Sequence, residues 1–239
     1  MKKLTLSLII VCLLLNAMCS AQNVLFKQEV TLDTVIPKKG PNYRSFDHYY
    51  IGYGFIFDTQ HFGALETVIG SSTQFVFGFR HKTKINNHYA IGYDISYNTT
   101  GYSIKQSPTK SFPTSVNYKS EKLLMRNFRL ELYNRINFGK RGNKVGKFMD
   151  IGAFGEYGFA NALIVKDKLP ATNAFGASKV KMVNKNPNYV NKLNYGISLR
   201  LGNNRMSIYA TYRLSEMFLA SYSYPETANV IVGIQVGFH

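Results

Sequence analysis

Residues 89–98 read Tyr89, Ala90, Ile91, Gly92, Tyr93, Asp94, Ile95, Ser96, Tyr97, Asn98. Large apolar side chains take every odd position, and small or polar ones every even position. A strand, whose successive side chains point to opposite faces, separates these two sets; a helix would mix them around its circumference. One face is therefore wholly aromatic and aliphatic. The other is narrow and polar, with a charge at Asp94.

The same period of two recurs along the chain from Phe46. Tyr49, Ile51, Tyr53, Phe55 and Phe57 enclose Gly52 and Gly54, and Phe75, Phe77 and Phe79 alternate with Gln74, Gly78 and Arg80. Phe128, Leu130, Leu132, Ile136 and Phe138 alternate with Arg129, Glu131, Tyr133, Arg135 and Asn137. Further segments run Met149–Phe159 around Asp150, Gly152 and Glu156, and Leu193–Leu201 around Asn194, Gly196, Ser198 and Arg200. The last two run Met206–Leu214 around Ser207, Thr211 and Arg213, and Val230–Phe238 around Gly233, Gln235 and Gly237. Each segment reaches the ~9–11 residues that a tilted membrane strand needs. A soluble sandwich also alternates, but its water-facing side has no reason to be so rich in glycine. The crowded interior of a narrow barrel does. Residues 46–239 are thus expected to be all-β, an eight-stranded antiparallel up-and-down transmembrane β-barrel with its apolar face outward.

Connection lengths agree. Lys84–Asn87, Gly139–Lys147 and Gly202–Arg205 are short, and alternate with longer stretches at Asp58–Thr73, Thr99–Glu121, Asn161–Pro187 and Ala220–Thr227. Short periplasmic turns alternating with long extracellular loops is the outer-membrane pattern. Composition excludes the main competitors. The 239 residues include 17 Tyr, 17 Phe and 19 Gly, too many aromatics for a disordered chain. After residue 21 no run approaches the ~20 apolar residues of a spanning helix.

Residues 1–21 read as a secretory signal, with Lys2 and Lys3, the apolar run Leu4–Leu15, and Cys19-Ser20-Ala21 as the cleavage end. Lipidation at Cys19 is the alternative, which bulky Met18 fits poorly. Cleavage after Ala21 removes both cysteines, Cys12 and Cys19, so the mature chain has neither disulfide nor thiol chemistry. Residues 22–45 form a periplasmic leader broken by Pro37, Gly40 and Pro41. It reads either as a flexible lead-in or as a strap for another envelope protein.

The final strand carries Ile234, Val236 and Phe238 on its apolar face, the last an aromatic. With the eight alternating segments, this resembles the small outer-membrane barrels of the OmpA/OmpX type. The wealth of Tyr, Asn and Lys and the absence of Trp are similar in style to the PorT-like barrels of Bacteroidota. The resemblance covers roughly residues 46–239 and is one of pattern; His239 follows the terminal aromatic. It implies an integral outer-membrane protein, with the amino terminus periplasmic and Ile234, Val236 and Phe238 read by the barrel-insertion machinery. It also implies a non-catalytic role as accessory or structural subunit of an envelope complex, such as type IX secretion or outer-membrane assembly. The alternative is a free-standing barrel that binds surface ligands through its outer loops, or a narrow anion-preferring pore.

The inward faces are expected to carry Arg80, Lys82, Arg129, Arg135, Lys192, Arg200 and Arg213 against Asp94, Glu131, Asp150 and Glu156. In a lumen just wide enough for side chains such charges must pair. They form either a salt-bridged plug or, through surplus Arg, an anion path. The whole chain has 29 basic and 13 acidic residues, a charge of +16. The short turns are basic. The second and third outer loops hold eight Lys against Glu121 and Asp167, suited to lipopolysaccharide phosphates. An exported barrel has no nucleic-acid partner. Five His (His48, His61, His81, His88 and His239) include none at strand spacing from a Ser. His48 precedes the first strand, and only His61, near Glu66, Ser71 and Ser72, falls in an outer loop. No metal-ligand spacing or cofactor motif is present, and no enzyme is expected.

Phe238→Lys should reduce assembly of the barrel, measured as the fraction of chain in the folded, heat-modifiable form. The interfacial penalty is only ~0–1 kcal/mol, so the loss would reflect recognition of the strand. Normal insertion would remove that role from Phe238.

Overall fold

The computed structural model describes residues 39–57, 66–108, 110–139, 142–169 and 178–238. The signal segment, the leader up to residue 38, His61 and His239 lie outside them. The described residues form ten strands: β1 (Ser45–Phe57), β2 (Thr73–Lys84), β3 (Tyr89–Ile104), β4 (Ser120–Phe138), β5 (Lys147–Gly158), β6 (Ala162–Lys168), β7 (Lys179–Lys185), β8 (Leu193–Asn203), β9 (Met206–Arg213) and β10 (Val230–Phe238).

Eight of them close into an all-antiparallel barrel. Each pairs with its neighbour, β5 goes on to β8, and β10 returns to β1. Cα partners followed from Ser45 through Thr83, Ile91, Asn134, Ile151, Leu199, Ala210 and Val232 return to β1 at Phe55, ten residues further on. With ~3.3 Å rise and ~4.8 Å strand spacing, that stagger tilts the strands ~40° from the axis. The eight expected segments are these eight strands, and the alternation of short and long connections is as the sequence reads. Short turns are set locally. Asn86 Oδ1 accepts from the backbone of His88 and Tyr89 at 2.9 and 2.8 Å. Asn204, at φ 53°, turns β8 into β9.

Two features were not expected. The third long connection contains the β6–β7 hairpin, and β6 pairs with the upper end of β4 from Ser120 to Leu124. No period marks β7 because almost every residue in it is exposed. In addition, β1 begins at Ser45, so His48 lies within the strand and faces inward, where it stacks on Phe46.

Outward positions are apolar around the barrel, with Tyr53, Phe77, Ile95, Leu132, Leu193, Ile208 and Ile234 all exposed. Inward positions alternate large with small. The Tyr50 ring lies over Gly78, Tyr133 over Gly92, Phe148 over Gly202 and Tyr209 against Gly54 and Gly233. Inward glycine is therefore the space into which an inward ring packs.

Both mouths are covered. At the long-loop end Phe112, Met217 and Phe218 are buried with Tyr189 and Tyr224 against Ile56, Tyr102, Met125, Tyr209 and Ile231 of the wall. Phe112 lies 4.6 Å from Phe218 and 4.9 Å from Tyr224, centroid to centroid. At the short-turn end Phe46, Val145 and Phe148 form a second cluster. There residues 39–44 fold against the barrel instead of leading freely away from it. Lys82 Nζ donates to the Pro41 carbonyl, and Asn42 Nδ2 to Gly142 O at 2.9 Å.

A Cβ on Gly233 would lie 2.3 Å from the Tyr53 carbonyl oxygen and 2.6 Å from Gly54 Cα, both backbone of β1. Gly233→Ala should open the closing seam and cost ~1–3 kcal/mol, read as a lower melting temperature of the folded form. Gly155→Ala, where nothing lies within 4 Å, should leave melting unchanged. Equal melting of the two variants would contradict the seam geometry.

Candidate functional site

The lumen gathers most of the charges that the sequence singles out. Arg80 and Asp94 are opposite each other on β2 and β3, and Arg80 Nε donates to Asp94 Oδ2 at 2.9 Å. The remaining Asp94 oxygen accepts from Tyr50 at 2.7 Å, while Arg80 Nη2 donates to Gln235 at 2.9 Å. Arg135 forks onto both oxygens of Asp150 at 2.7 and 2.8 Å. Arg200 bridges Asp150 at 3.1 Å and Glu131 at 2.6 Å, and Ser198 Oγ donates to the same Glu131 oxygen at 2.8 Å. These four ions form one continuous chain across β4, β5 and β8. Higher in the tube, Arg129 donates to Glu156 at 3.0 Å.

Rings hold the guanidinium planes. Tyr133 has Arg200 and Arg135 within 5.5 Å of its ring centroid, and its hydroxyl donates to the His81 carbonyl at 2.9 Å. Arg80 lies 4.2 Å over Tyr50, Arg129 3.9 Å over Phe154 and Arg135 3.8 Å over Phe148. Each cation thus has both an anionic partner in its plane and an aromatic face beside it.

Three corrections follow. Lys192 does not face the lumen. It is exposed just ahead of β8, because the period-two reading ran past the strand's first residue. Glu121 is no solvated loop charge: it is buried on the inward row of an extended β4, 2.5 Å from Lys110 of the second long loop. Its place on the same alternate row as Glu131, ten residues earlier and nearer the long-loop end, was the signal available in the sequence. Glu226 comes from the fourth loop to Arg213, at 2.8 Å, a contact that no spacing announces. Lys82 is fully buried on the inward row, and Ile234, Val236 and Phe238 face outward on β10 beside Tyr53, Ile51 and Tyr49. Between Gln74, Asn127, Glu156 and Arg213 the lumen keeps a cavity of about 10 Å³, room for roughly one water.

His81 Nδ1 meets Asp47 at 2.5 Å on the outer face near the short turns. Glu66 pairs with Lys105, and Ser72 Oγ accepts from Ser103 N at 3.0 Å. Among the described residues no three His, Cys, Asp or Glu side chains converge as a metal site.

A second feature stands at the long-loop end. Across the β6–β7 hairpin, Lys166 is directly opposite Lys181, and Lys168 opposite Lys179. All four share one face, with Lys185 at its far end, and β4 extends the face through Lys122 beside Ile164 and on to Arg126. None of the positions on this face is acidic; Asp167 points to the other side. Like charges directly opposite one another destabilise a sheet. The hairpin is held by its reverse face, where buried Leu163 and Val165 join the loop cap.

No family model and no curated protein matches the sequence. Among solved structures the chain is similar to Ail, the attachment invasion locus protein of Yersinia pestis, solved in complex with the heparin analogue sucrose octasulfate. The two are 14% identical over 80% of this chain and 94% of that one, with a TM-score of 0.28. That likeness transfers no ligand or partner to this chain.

Glu131→Ala should leave Arg200 with half its anionic shell and Ser198 without its acceptor. Removing one member of a buried pair costs ~3–5 kcal/mol, which should appear as a large fall in the melting temperature of the folded form. Glu66→Ala removes an exposed pair with Lys105 and should change stability by less than ~1 kcal/mol. Equal, small effects would mean that the lumen is open to screening water.

Proposed function

We propose that the chain is a non-catalytic barrel of the bacterial outer membrane that binds phosphate-bearing outer-leaflet ligands, lipopolysaccharide foremost, through its long-loop end. The membrane part rests on the outward belt. Soluble proteins rarely expose apolar patches beyond a few hundred Å², whereas this surface is apolar around the whole barrel. Along β1 it runs from Tyr49 to Phe57, ~20 Å of height at a ~40° tilt and close to the ~25 Å band of such barrels. The short-turn end and the amino terminus then face the periplasm.

The single observation that carries the ligand is the lysine face. Lys166 against Lys181 and Lys168 against Lys179 are stacked where an ordinary sheet would alternate sign. The repulsion is relieved by a ligand that brings several negative charges at close spacing, and phosphates in the outer leaflet lie at that height. Directly beneath, Tyr97, Phe128 and Phe159 cluster outward, Phe128 stacked 4.7 Å from Phe159, as an interfacial girdle does. A subunit role in a secretion complex rests on resemblance alone.

The test is binding of the detergent-solubilised barrel to lipopolysaccharide and to its dephosphorylated form. Intact lipopolysaccharide should bind more tightly, with affinity falling as salt rises through the range where the Debye length shrinks below ~10 Å. Lys166→Gln with Lys181→Gln should abolish that preference without lowering the melting temperature. Equal binding of both forms would overturn the proposal.

A further inference from the structure

The opposite end of the barrel carries a groove that the polycationic loop face does not involve. On the outer wall, Phe138, Leu201, Met206, Ile208 and Ile234 line an open cleft of about 530 Å³ whose floor is Gly202 over the ring of Phe148. The groove is almost wholly apolar except at its lower edge, where Lys147 stands between Phe138 and Asn203 in the cross-strand row. It continues past Asn203 and Met206, shared by both, into a second recess of about 520 Å³ between the β4–β5 and β8–β9 turns. That recess holds Lys144, Arg205, Asn143 and Asn204, with Pro41 and Val145 beside them.

The two turns that frame the recess are tied to one another. Asn204 N donates to Gly146 O at 2.9 Å, and Gly146 N donates to Asn204 Oδ1 at 3.1 Å. The cations are therefore carried on a braced frame. Neither cavity is lined by Asp or Glu, and Lys144, Lys147 and Arg205 have no carboxylate partner among the described residues. An apolar slot that opens at one end onto three cations has the shape of one class of molecule, with an acyl chain joined to an anionic phosphate.

We infer that the apolar groove on the β8–β9 wall and the Lys144–Lys147–Arg205 recess together bind one anionic phospholipid of the periplasmic leaflet. The acyl chain lies along Leu201, Ile208 and Ile234, and the headgroup phosphate sits against Lys144 and Arg205. Lys147 bridges the two parts, its stem on Phe138 and its ammonium toward the phosphate, as a snorkelling lysine does. The inference rests on the membrane reading above but not on the lysine face of the hairpin.

Barrel reconstituted in mixed vesicles of phosphatidylglycerol and phosphatidylcholine is released into mild detergent and weighed intact by native mass spectrometry. One phosphatidylglycerol adduct should be retained in preference to phosphatidylcholine. Lys144→Ser with Arg205→Ser should lower that preference about thirtyfold, from ~1 kcal/mol for each cation near an anionic lipid surface. Lys166→Gln with Lys181→Gln should leave it intact. Ile208→Glu, which blocks the slot and keeps the cations, should also lose the adduct. Equal retention of both lipids, or an adduct that survives the Lys144 and Arg205 changes, would overturn the site. Chain dimers in place of lipid adducts would overturn it as well. Failure of the protein to integrate into vesicles at all would overturn both this site and the membrane reading, which separates the two outcomes.

Discussion

Eight strands closed with a stagger of ten residues enclose a tube only as wide as the side chains that fill it. The outward row has been given to aromatic and aliphatic residues, so every charged strand residue along the middle of the tube projects inward. Ions that cannot reach bulk water must be matched by neighbours. The chain Arg135–Asp150–Arg200–Glu131 and the pairs Arg80–Asp94 and Arg129–Glu156 are that match. Each is made between strands adjacent or next-but-one around the wall, so the ions also lock the register that creates the tube.

Packing and charge act through the same positions. Tyr133 occupies the notch at Gly92 and offers its ring to Arg135 and Arg200. Tyr50 occupies the notch at Gly78 and donates to Asp94. Replacing either glycine would displace a ring and, with it, an ion pair. The two mouths repeat the arrangement in different materials. Phe112, Phe218 and Tyr224 cover one, while Phe46, Phe148 and the Pro41 carbonyl on Lys82 cover the other. With the interior filled, interaction is left to the surfaces beyond it, the hairpin at one end and the basic turns at the other.

The barrel was legible because one physical rule, alternation at period two, applies to every strand and its turns are spelled with Asn and Gly. The inward ions of β2, β3, β4, β5 and β8 were legible for the same reason: once the face is known, Arg80, Asp94 and Glu131 have one place to go. Legibility failed where the period stops. Lys192 stands one residue ahead of β8 and so escapes its face. The contact of Glu226 with Arg213 depends on the path of a loop, as does that of Lys110 with Glu121. Tyr133 and Asn134 are inverted relative to their neighbours' chemistry. The aromatic packs inward among guanidinium groups, and the amide faces outward, bonded to the Tyr89 hydroxyl. A hairpin exposed on both sides of β7 leaves no apolar period at all.

The central claim is that paired ions and rings fill the tube so completely that it is no channel. Current through planar bilayers that contain the purified barrel tests it most directly. The account predicts no steady unitary conductance at neutral pH in symmetrical salt. Stepwise, persistent current with a preference for anions would contradict it and show the guanidinium groups lining a path.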